Sequence, residues 1–208
     1  MAFKNFKTET DADGIVLVTW DTPGRSMNVL DETSITELEA IIKQTTENAA
    51  VKGVVITSGK EALCAGADLS MLEGMAQTYA GLLKDKGEVA ANQVLFDQSR
   101  RFSQVFRSIE TSGKPWVAAI NGLALGGGFE LTLSCHYRVA ADNPKTRLGL
   151  PEVKVGLFPG AGGTQRVPRI VSPQDAMQLL LKGEAINLAK AKALNLIHAI
   201  VPPAEMIK

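Results

Sequence analysis

Short β-rich apolar runs alternate along this chain with longer segments in which apolar residues recur every three or four positions. The runs predict buried strands, and the spacing of three to four predicts amphipathic helices. Strands are expected at 14–20, 54–57, 116–120, 137–141 and 199–201. Helices are expected from near residue 31, and over 88–109, 173–182 and 188–194. This repeated order of strand and helix predicts an α/β fold without a linker that would divide it.

Two stretches give a weaker pattern. Residues 71–92 contain three glycines and little periodicity, so we expect a mobile segment with a short helix and a loop. Glycine and proline recur at short intervals between 147 and 159, which predicts extended, tightly bent backbone. In the long predicted helix, the apolar residues with helical spacing are expected to form a buried stripe: Phe96, Phe102, Val105, Phe106 and Ile109.

Composition limits the classes of function. The 208 residues are 45% hydrophobic and carry 22 basic and 22 acidic side chains, so overall charge gives no reason to expect nucleic acid or an anionic membrane as partner. No apolar run is long enough for a membrane span, and the N-terminus lacks the apolar core of a secretion signal. Two cysteines and two histidines make neither a disulfide framework nor a metal-ligand cluster. The composition predicts a reduced, cytoplasmic protein without a metal.

The glycine-rich stretch 118–131 is the strongest candidate for chemistry. It leads from a predicted strand through a turn of small residues into a helix, where the first N–H groups have no intrahelical partner. Glu130 follows Gly127 by three residues, which places both on one helix face. A backbone N–H without a partner and a carboxylate would then face the same pocket. The same residues also suit a turn that only packs a helix on a sheet, with Glu130 as a cap.

Four motifs occur in a fixed order, and together they carry more weight than any one of them. They are the segments 65–68 (AGAD), 121–131 (NGLALGGGFEL), 150–152 (LPE) and 159–166 (PGAGGTQR). In this combination the chain resembles the crotonase (enoyl-CoA hydratase/isomerase) superfamily over 15–201. The stretch 142–152 is most similar to the N-terminal hydratase part of bacterial multifunctional fatty-acid oxidation proteins.

The resemblance implies a fold and an assembly. We expect a crotonase-like spiral of ββα units with two roughly perpendicular sheets, formed by residues 1–208 as one domain. The family continues past this point into helices that cover the site, so the chain is expected to be truncated. Family members form homo-oligomers or larger complexes, which is expected here too. A dehydrogenase that uses NAD follows in multifunctional relatives, but the chain shows no convincing dinucleotide fingerprint.

The resemblance also implies a reaction and its residues. The expected reaction is hydration of a trans-2-enoyl-CoA in β-oxidation, with the backbone N–H groups of Ala67 and Gly127 stabilising the thioester oxyanion. Glu130 would chiefly activate the water, and Glu152 would hold it and deliver a proton. Coenzyme A enters as part of the substrate, and no separate cofactor is expected. Residues matched to its binding are Ala65, Gly66, Asp68, Arg25 and Met27.

Other interpretations remain open at this point. The same enolate chemistry serves a Δ3-Δ2-enoyl-CoA isomerase or another acyl-CoA reaction of this superfamily, although two glutamates favour the hydratase. A non-catalytic domain that binds acyl-CoA or assists assembly is an alternative of another class. Arg25 could equally be a solvated loop arginine, and His136 fits a core or surface role better than catalysis. Gly162 to Thr164 fit a structural helix start better than a second anion-binding turn.

Overall fold

The computed structural model describes residues 3–207, which form two sheets surrounded by helices. The strands are β1 Phe6–Thr10, β2 Ile15–Trp20, β3 Gly53–Ser58, β4 Trp116–Ile120, β5 Ala124–Leu125, β6 Tyr137–Ala141, β7 Leu148–Gly149 and β8 Ala199–Val201. The helices are α1 Glu32–Glu47, α2 Leu69–Lys86, α3 Glu88–Glu110, α4 Gly127–Ser134, α5 Gly163–Ile170, α6 Pro173–Lys182 and α7 Leu188–Ala193. Two 3₁₀ helices span Pro151–Val155 and Pro203–Glu205.

The larger sheet has six strands in the order β1-β2-β3-β4-β6-β8. Only β1 and β2 pair antiparallel, and the other neighbours are parallel, so the α/β prediction is confirmed. One register row crosses four strands through Val18, Ile56, Ala118 and Arg138. Parallel strands have their carboxyl ends at the same edge of a sheet, so the segments that leave β3 and β4 begin close together.

The core lies between the sheet and the helices. Its largest fully buried side chains include Trp20, Trp116, Phe106 and Phe129. Helix α1 begins where its apolar spacing predicted, because the Asp31 carboxylate accepts the Ser34 N–H and the Ser34 hydroxyl accepts the Asp31 N–H. Such a reciprocal cap satisfies two N–H groups that the first turn leaves without partners. The apolar face of α1, with Ile35, Leu38, Ile41 and Ile42, is buried in the core.

Several local expectations were wrong. Residues 69–86 form one helix of 18 residues rather than a short helix with a loop, and none of its side chains is buried. Phe96 is 57% exposed, outside the buried stripe that Val105, Phe106 and Ile109 do form. Residues 151–155 form a 3₁₀ helix where extended backbone was expected, with Pro151 in the first turn. Strand β1 was not predicted, because Phe6 is the only one of its five residues with a buried side chain.

The second sheet consists of β5 and β7, which pair in parallel. Although small, it positions the candidate site, because the glycine-rich turn follows β5 and the 3₁₀ helix follows β7. Within residues 3–207, no helix has both the length and the apolar character that crossing a bilayer requires.

Candidate active site

Three segments reach the candidate site side by side and in the same direction. Cys64 bridges Ala124, and Ala124 pairs with Leu148, so the three residues form one row. The Leu125 N–H donates to the Cys64 oxygen at 3.0 Å, and the Gly126 N–H donates to the Gly149 oxygen at 2.9 Å. The chain segments that follow these three residues therefore run side by side, in the same direction. Ala67 and Gly127 stand three positions beyond their row members, and Glu152 stands four beyond its own.

Two glycines let the first two segments turn in contact with each other. Gly66 has φ +108° and Gly126 has φ +53°, a backbone region that side chains disfavour. A Cβ on Gly126 would lie 3.6 Å from the Gly66 Cα and 3.1 Å from the Glu152 Oε1. Both turns thus pack backbone against backbone, and the Glu152 carboxyl group lies directly against the second.

The amides of Ala67 and Gly127 are free donors in this arrangement. Leu30 pairs with the first segment: its N–H donates to the Gly66 oxygen, and its oxygen accepts the Asp68 N–H, each at 2.8 Å. Successive N–H groups of extended backbone alternate in direction, so the Ala67 N–H points away from Leu30. Gly127 is the first residue of α4, where an N–H has no intrahelical partner. Neither amide donates to another residue within the part of the chain that the structure describes.

Leu30 also explains why position 127 is a glycine. A Cβ built on Gly127 would lie 2.5 Å from the Leu30 Cδ1, closer than two carbon atoms can approach. The buried Leu30 side chain packs against the start of α4, while its backbone holds the segment of Ala67. This single residue therefore fixes both donor segments relative to each other.

Glu130 is buried on the first turn of α4 and faces the start of α5. Its Oε1 accepts the Gly163 N–H at 2.7 Å. Burial raises the pKa of Glu130 to about 7, with a further increase from the charge of Glu152, while the Gly163 N–H and the Arg166 charge oppose the rise. A carboxyl group with such a pKa exchanges a proton easily at neutral pH.

Glu152 lies in the 3₁₀ helix that follows β7. Burial is the main cause that raises its pKa. Its Oε2 is buried and accepts no hydrogen bond from any residue between 3 and 207, whereas buried polar atoms ordinarily have a partner. The two glutamates are close enough for the charge of Glu152 to act on Glu130. The structure brings together the predicted carboxyl pair and places it beside the two turns.

The five residues matched to coenzyme A lie beside the first donor segment. Arg25 Nη1 and Asp68 Oδ2 form an ion pair at 2.6 Å. Asp68 also caps α2, and hydrogen bonds from the Ser70 hydroxyl and then from Arg25 lower its pKa to about 2. Met27 is 44% exposed, and the Ala65 N–H donates to the Asn28 oxygen at 2.9 Å. The Arg25–Asp68 ion pair and the bond from Ala65 to Asn28 therefore hold the loop 25–28 against the first donor segment.

Comparison with known proteins decides the family. The family model described as Enoyl-CoA hydratase/isomerase matches residues 10–208. The chain belongs to this family. A crystal structure of an enoyl-CoA hydratase from Bacillus anthracis is 32% identical, has a TM-score of 0.82, and is matched over 98% of this chain and 72% of its own. The expected crotonase-like fold is thereby confirmed.

Curated relatives include alpha subunits of fatty acid oxidation complexes. The chain is 40% identical over 206 residues to the fatty acid oxidation complex subunit alpha of Idiomarina loihiensis, and 40% identical over 205 residues to that of Shewanella amazonensis. Each alignment covers 98% of this chain. The chain spans 27% of the length of these relatives. The resemblance to bacterial fatty-acid oxidation proteins, predicted from the stretch 142–152, is confirmed.

Two residues that shape the candidate site were missed in the sequence. Asn28 is fully buried; its Oδ1 accepts the Thr22 N–H, and its Nδ2 lies within hydrogen-bond distance of the Trp20 oxygen, the Ser58 hydroxyl and the Leu63 oxygen. It ties the loop before Leu30 to the end of β3. Its only sequence signal is an asparagine in a loop between predicted elements, which is also typical of a turn.

Gly163 is the other residue that the sequence did not assign to the site. It begins α5, as the interpretation of a structural helix start predicted, and its N–H also donates to the Glu130 carboxyl group. A Cβ there would lie 2.9 Å from Leu150 Cδ1 and 3.1 Å from Glu130 Oε1. His136 is exposed, and its Nδ1 accepts the Trp116 N–H at 3.1 Å. That contact gives His136 a structural role at the start of β4.

Proposed function

We propose that this chain hydrates trans-2-enoyl-CoA to 3-hydroxyacyl-CoA in fatty-acid β-oxidation. The observation that carries the proposal is the grouping of the buried Glu130 and the half-buried Glu152 with two backbone amides that have no partner among residues 3–207. Hydration of an enoyl thioester needs both kinds of group, because negative charge builds on the thioester oxygen while protons move between water and carbon. Membership of the enoyl-CoA hydratase/isomerase family supports the same reaction class.

In this proposal the thioester oxygen accepts the N–H groups of Ala67 and Gly127. Both donors are fixed by backbone pairing before any substrate arrives, so no reorganisation is needed as charge develops. Removal of one such donor costs about 3 kcal/mol of transition-state stabilisation in comparable sites. Because Gly127 is at a helix start, the positive end of the α4 dipole adds to the effect.

The two glutamates divide the proton transfers. Ionised Glu130 takes a proton from water as the oxygen bonds to C3, and the π electrons of C2=C3 move toward the thioester to form the enolate. Protonated Glu152 then gives its proton to C2, and the thioester carbonyl is restored. Water thus adds across the double bond without an oxidant or reductant. Glu130 then holds the proton taken from water and Glu152 is ionised, so a proton must pass from Glu130 back to Glu152 before the next turnover. Repulsion between the carboxylates favours a singly protonated pair throughout the cycle.

Coenzyme A is bound as part of the substrate in this proposal. Ala65, Gly66 and Asp68 would border its adenine end, and Arg25 and Met27 would lie beside its chain. No further cofactor is required for hydration, and NAD would serve only a dehydrogenase part of a longer protein. We also propose a cytoplasmic location and assembly into an oligomer or complex, since the named relatives are subunits of a fatty acid oxidation complex.

Turnover of crotonyl-CoA tests the proposal. The loss of ultraviolet absorbance from the conjugated enone is followed with wild type, Glu130→Gln and Glu152→Gln, and with Glu9→Gln on the exposed side of β1 as a control. Each site variant is expected to lose at least about 100-fold in kcat, whereas the control keeps the wild-type rate. Equal rates in all four proteins would contradict the assignment of the carboxyl pair.

The alternatives predict other results in the same series. An isomerase converts a 3-enoyl-CoA to its 2-enoyl isomer but adds no water to crotonyl-CoA. A domain that only binds acyl-CoA shows affinity for crotonyl-CoA by calorimetry without any turnover. Wild-type protein that neither turns over nor binds crotonyl-CoA would refute all three.

A further inference from the structure

A cavity of about 570 Å³ lies between α3 and α5. None of the residues matched to catalysis or to coenzyme A lines it, although Gly162 of the second glycine-rich turn does. One wall is the face of α3 formed by residues 100, 103, 104 and 107, and the other includes residues 165, 166 and 169 of α5. Both sets have the spacing of three and four that keeps side chains on one helix face. The volume is within the range of sites for small ligands.

Positive charge is concentrated in this cavity. Four arginines line it, Arg100, Arg107, Arg166 and Arg169, against a single acid, Glu110. The chain as a whole has a formal net charge of zero, so the excess is local. A concave surface lined by charges of one sign focuses its field on a ligand of the opposite sign.

The one acid is already shared between two of the arginines. Glu110 binds Arg166 Nε at 2.8 Å and Arg107 Nη1 at 3.0 Å. Arg166 also donates to the Ala161 oxygen at 2.8 Å, and its side chain is only 11% exposed. Its guanidinium group is therefore held in the wall rather than free in solvent. A fixed guanidinium loses little conformational entropy when a ligand binds.

The other two arginines have no acid partner. Among residues 3–207, neither Arg100 nor Arg169 forms an ion pair with a carboxylate. Arg100 lies 5.9 Å from the ring centre of Phe96, and Arg169 contacts the side-chain oxygen of Gln165 at 3.3 Å. Two unpaired cations at one cavity repel each other, and a bound anion would relieve that repulsion.

We infer that this cavity binds a phosphate-bearing anion. The planar fork of a guanidinium matches two oxygens of one phosphate, and several arginines in a concave site favour phosphate over a single carboxylate. Gln104 and Gln165 add neutral hydrogen-bond donors at the walls, whereas the Ser103 hydroxyl already donates to the Arg100 oxygen at 2.9 Å. The volume accommodates a diphosphate group, either free or as part of a nucleotide.

Calorimetric titration of the 208-residue chain with inorganic pyrophosphate tests the inference. Wild type is expected to bind one pyrophosphate, and Arg100→Ala combined with Arg169→Ala is expected to weaken binding at least about tenfold. Lys145→Ala combined with Arg147→Ala is the matched control, because it removes the same charge from an exposed turn outside the cavity. ADP is titrated in parallel into wild type, the cavity pair and Arg25→Ala, because the adenine end of coenzyme A is proposed to bind elsewhere. ADP binding that the cavity pair weakens and Arg25→Ala leaves unchanged identifies a nucleotide rather than inorganic phosphate as the preferred source.

Two further controls distinguish loss of binding at the cavity from unfolding and from binding at the proposed coenzyme A residues. Circular dichroism and thermal melting establish that each variant folds, as expected for exposed side chains. Arg25→Ala should leave pyrophosphate binding unchanged, since that residue belongs to the other site. The inference is overturned if wild type does not bind pyrophosphate, if the control pair weakens binding as much as the cavity pair, or if Arg25→Ala abolishes binding.

Discussion

Ionisation of Glu130 should destabilise the folded chain, and Glu130→Gln should remove that cost. Burial raises the pKa of Glu130 from an ordinary value of 4.5 to about 7, so between these values the folded state holds a proton that the unfolded state releases. Stability is then highest below about pH 4.5 and falls as pH rises through about 7. At about 1.4 kcal/mol for each pH unit, the loss amounts to about 3 kcal/mol.

The variant isolates this effect because glutamine cannot ionise and its amide oxygen can still accept the Gly163 N–H. Urea unfolding is measured for wild type, Glu130→Gln and Glu9→Gln from about pH 4 to about pH 8.5, which spans both pKa values. Glu130→Gln should be the more stable protein at the upper end by about 3 kcal/mol, with the difference vanishing toward the lower end. The raised pKa of Glu152 acts in the same direction in wild type. Parallel pH profiles of wild type and Glu130→Gln would refute the reasoning.

Two further substitutions test the backbone of the site. Gly127→Ala places a Cβ 2.5 Å from the Leu30 Cδ1, so it should displace the donor and lower crotonyl-CoA turnover about 100-fold, whereas Gly81→Ala, with open space around it in α2, should leave turnover unchanged. Asn28→Ala should lower the free energy of unfolding by about 3 kcal/mol in urea, because buried backbone groups lose their partners. Wild-type values for Gly127→Ala or Asn28→Ala would contradict these assignments.

Most of the main sheet could be predicted from sequence because its central strands are short apolar runs. The segments around Ile56 and Ala118 are buried strands of six and five residues, a length that favours a strand over a helix for a short apolar run. Strand β1 escaped prediction because residues 7–10 are exposed and β2 alone holds it in register. Helix α2 has no buried side chain, so it gives no apolar stripe to detect, and it packs mainly on α3.

The site could be predicted in part. Glu130 and Gly127 are three residues apart, so local helix geometry joins them, whereas Ala67 and Glu152 were assigned only through resemblance to the family. The contact between Gly163 and Glu130 spans 33 residues, and no local pattern encodes it. It depends on how α5 packs against α4, which is a property of the whole fold. The role of Asn28 likewise depends on partners from distant segments.

A crystal structure of the chain with a bound 3-hydroxyacyl-CoA product would test the central claim most directly. The account predicts the thioester oxygen at about 2.7–3.1 Å from the backbone nitrogens of both Ala67 and Gly127. It also predicts the 3-hydroxyl group within hydrogen-bond reach of Glu130 and Glu152. A thioester oxygen bound elsewhere, with both amides still without a partner, would contradict the account.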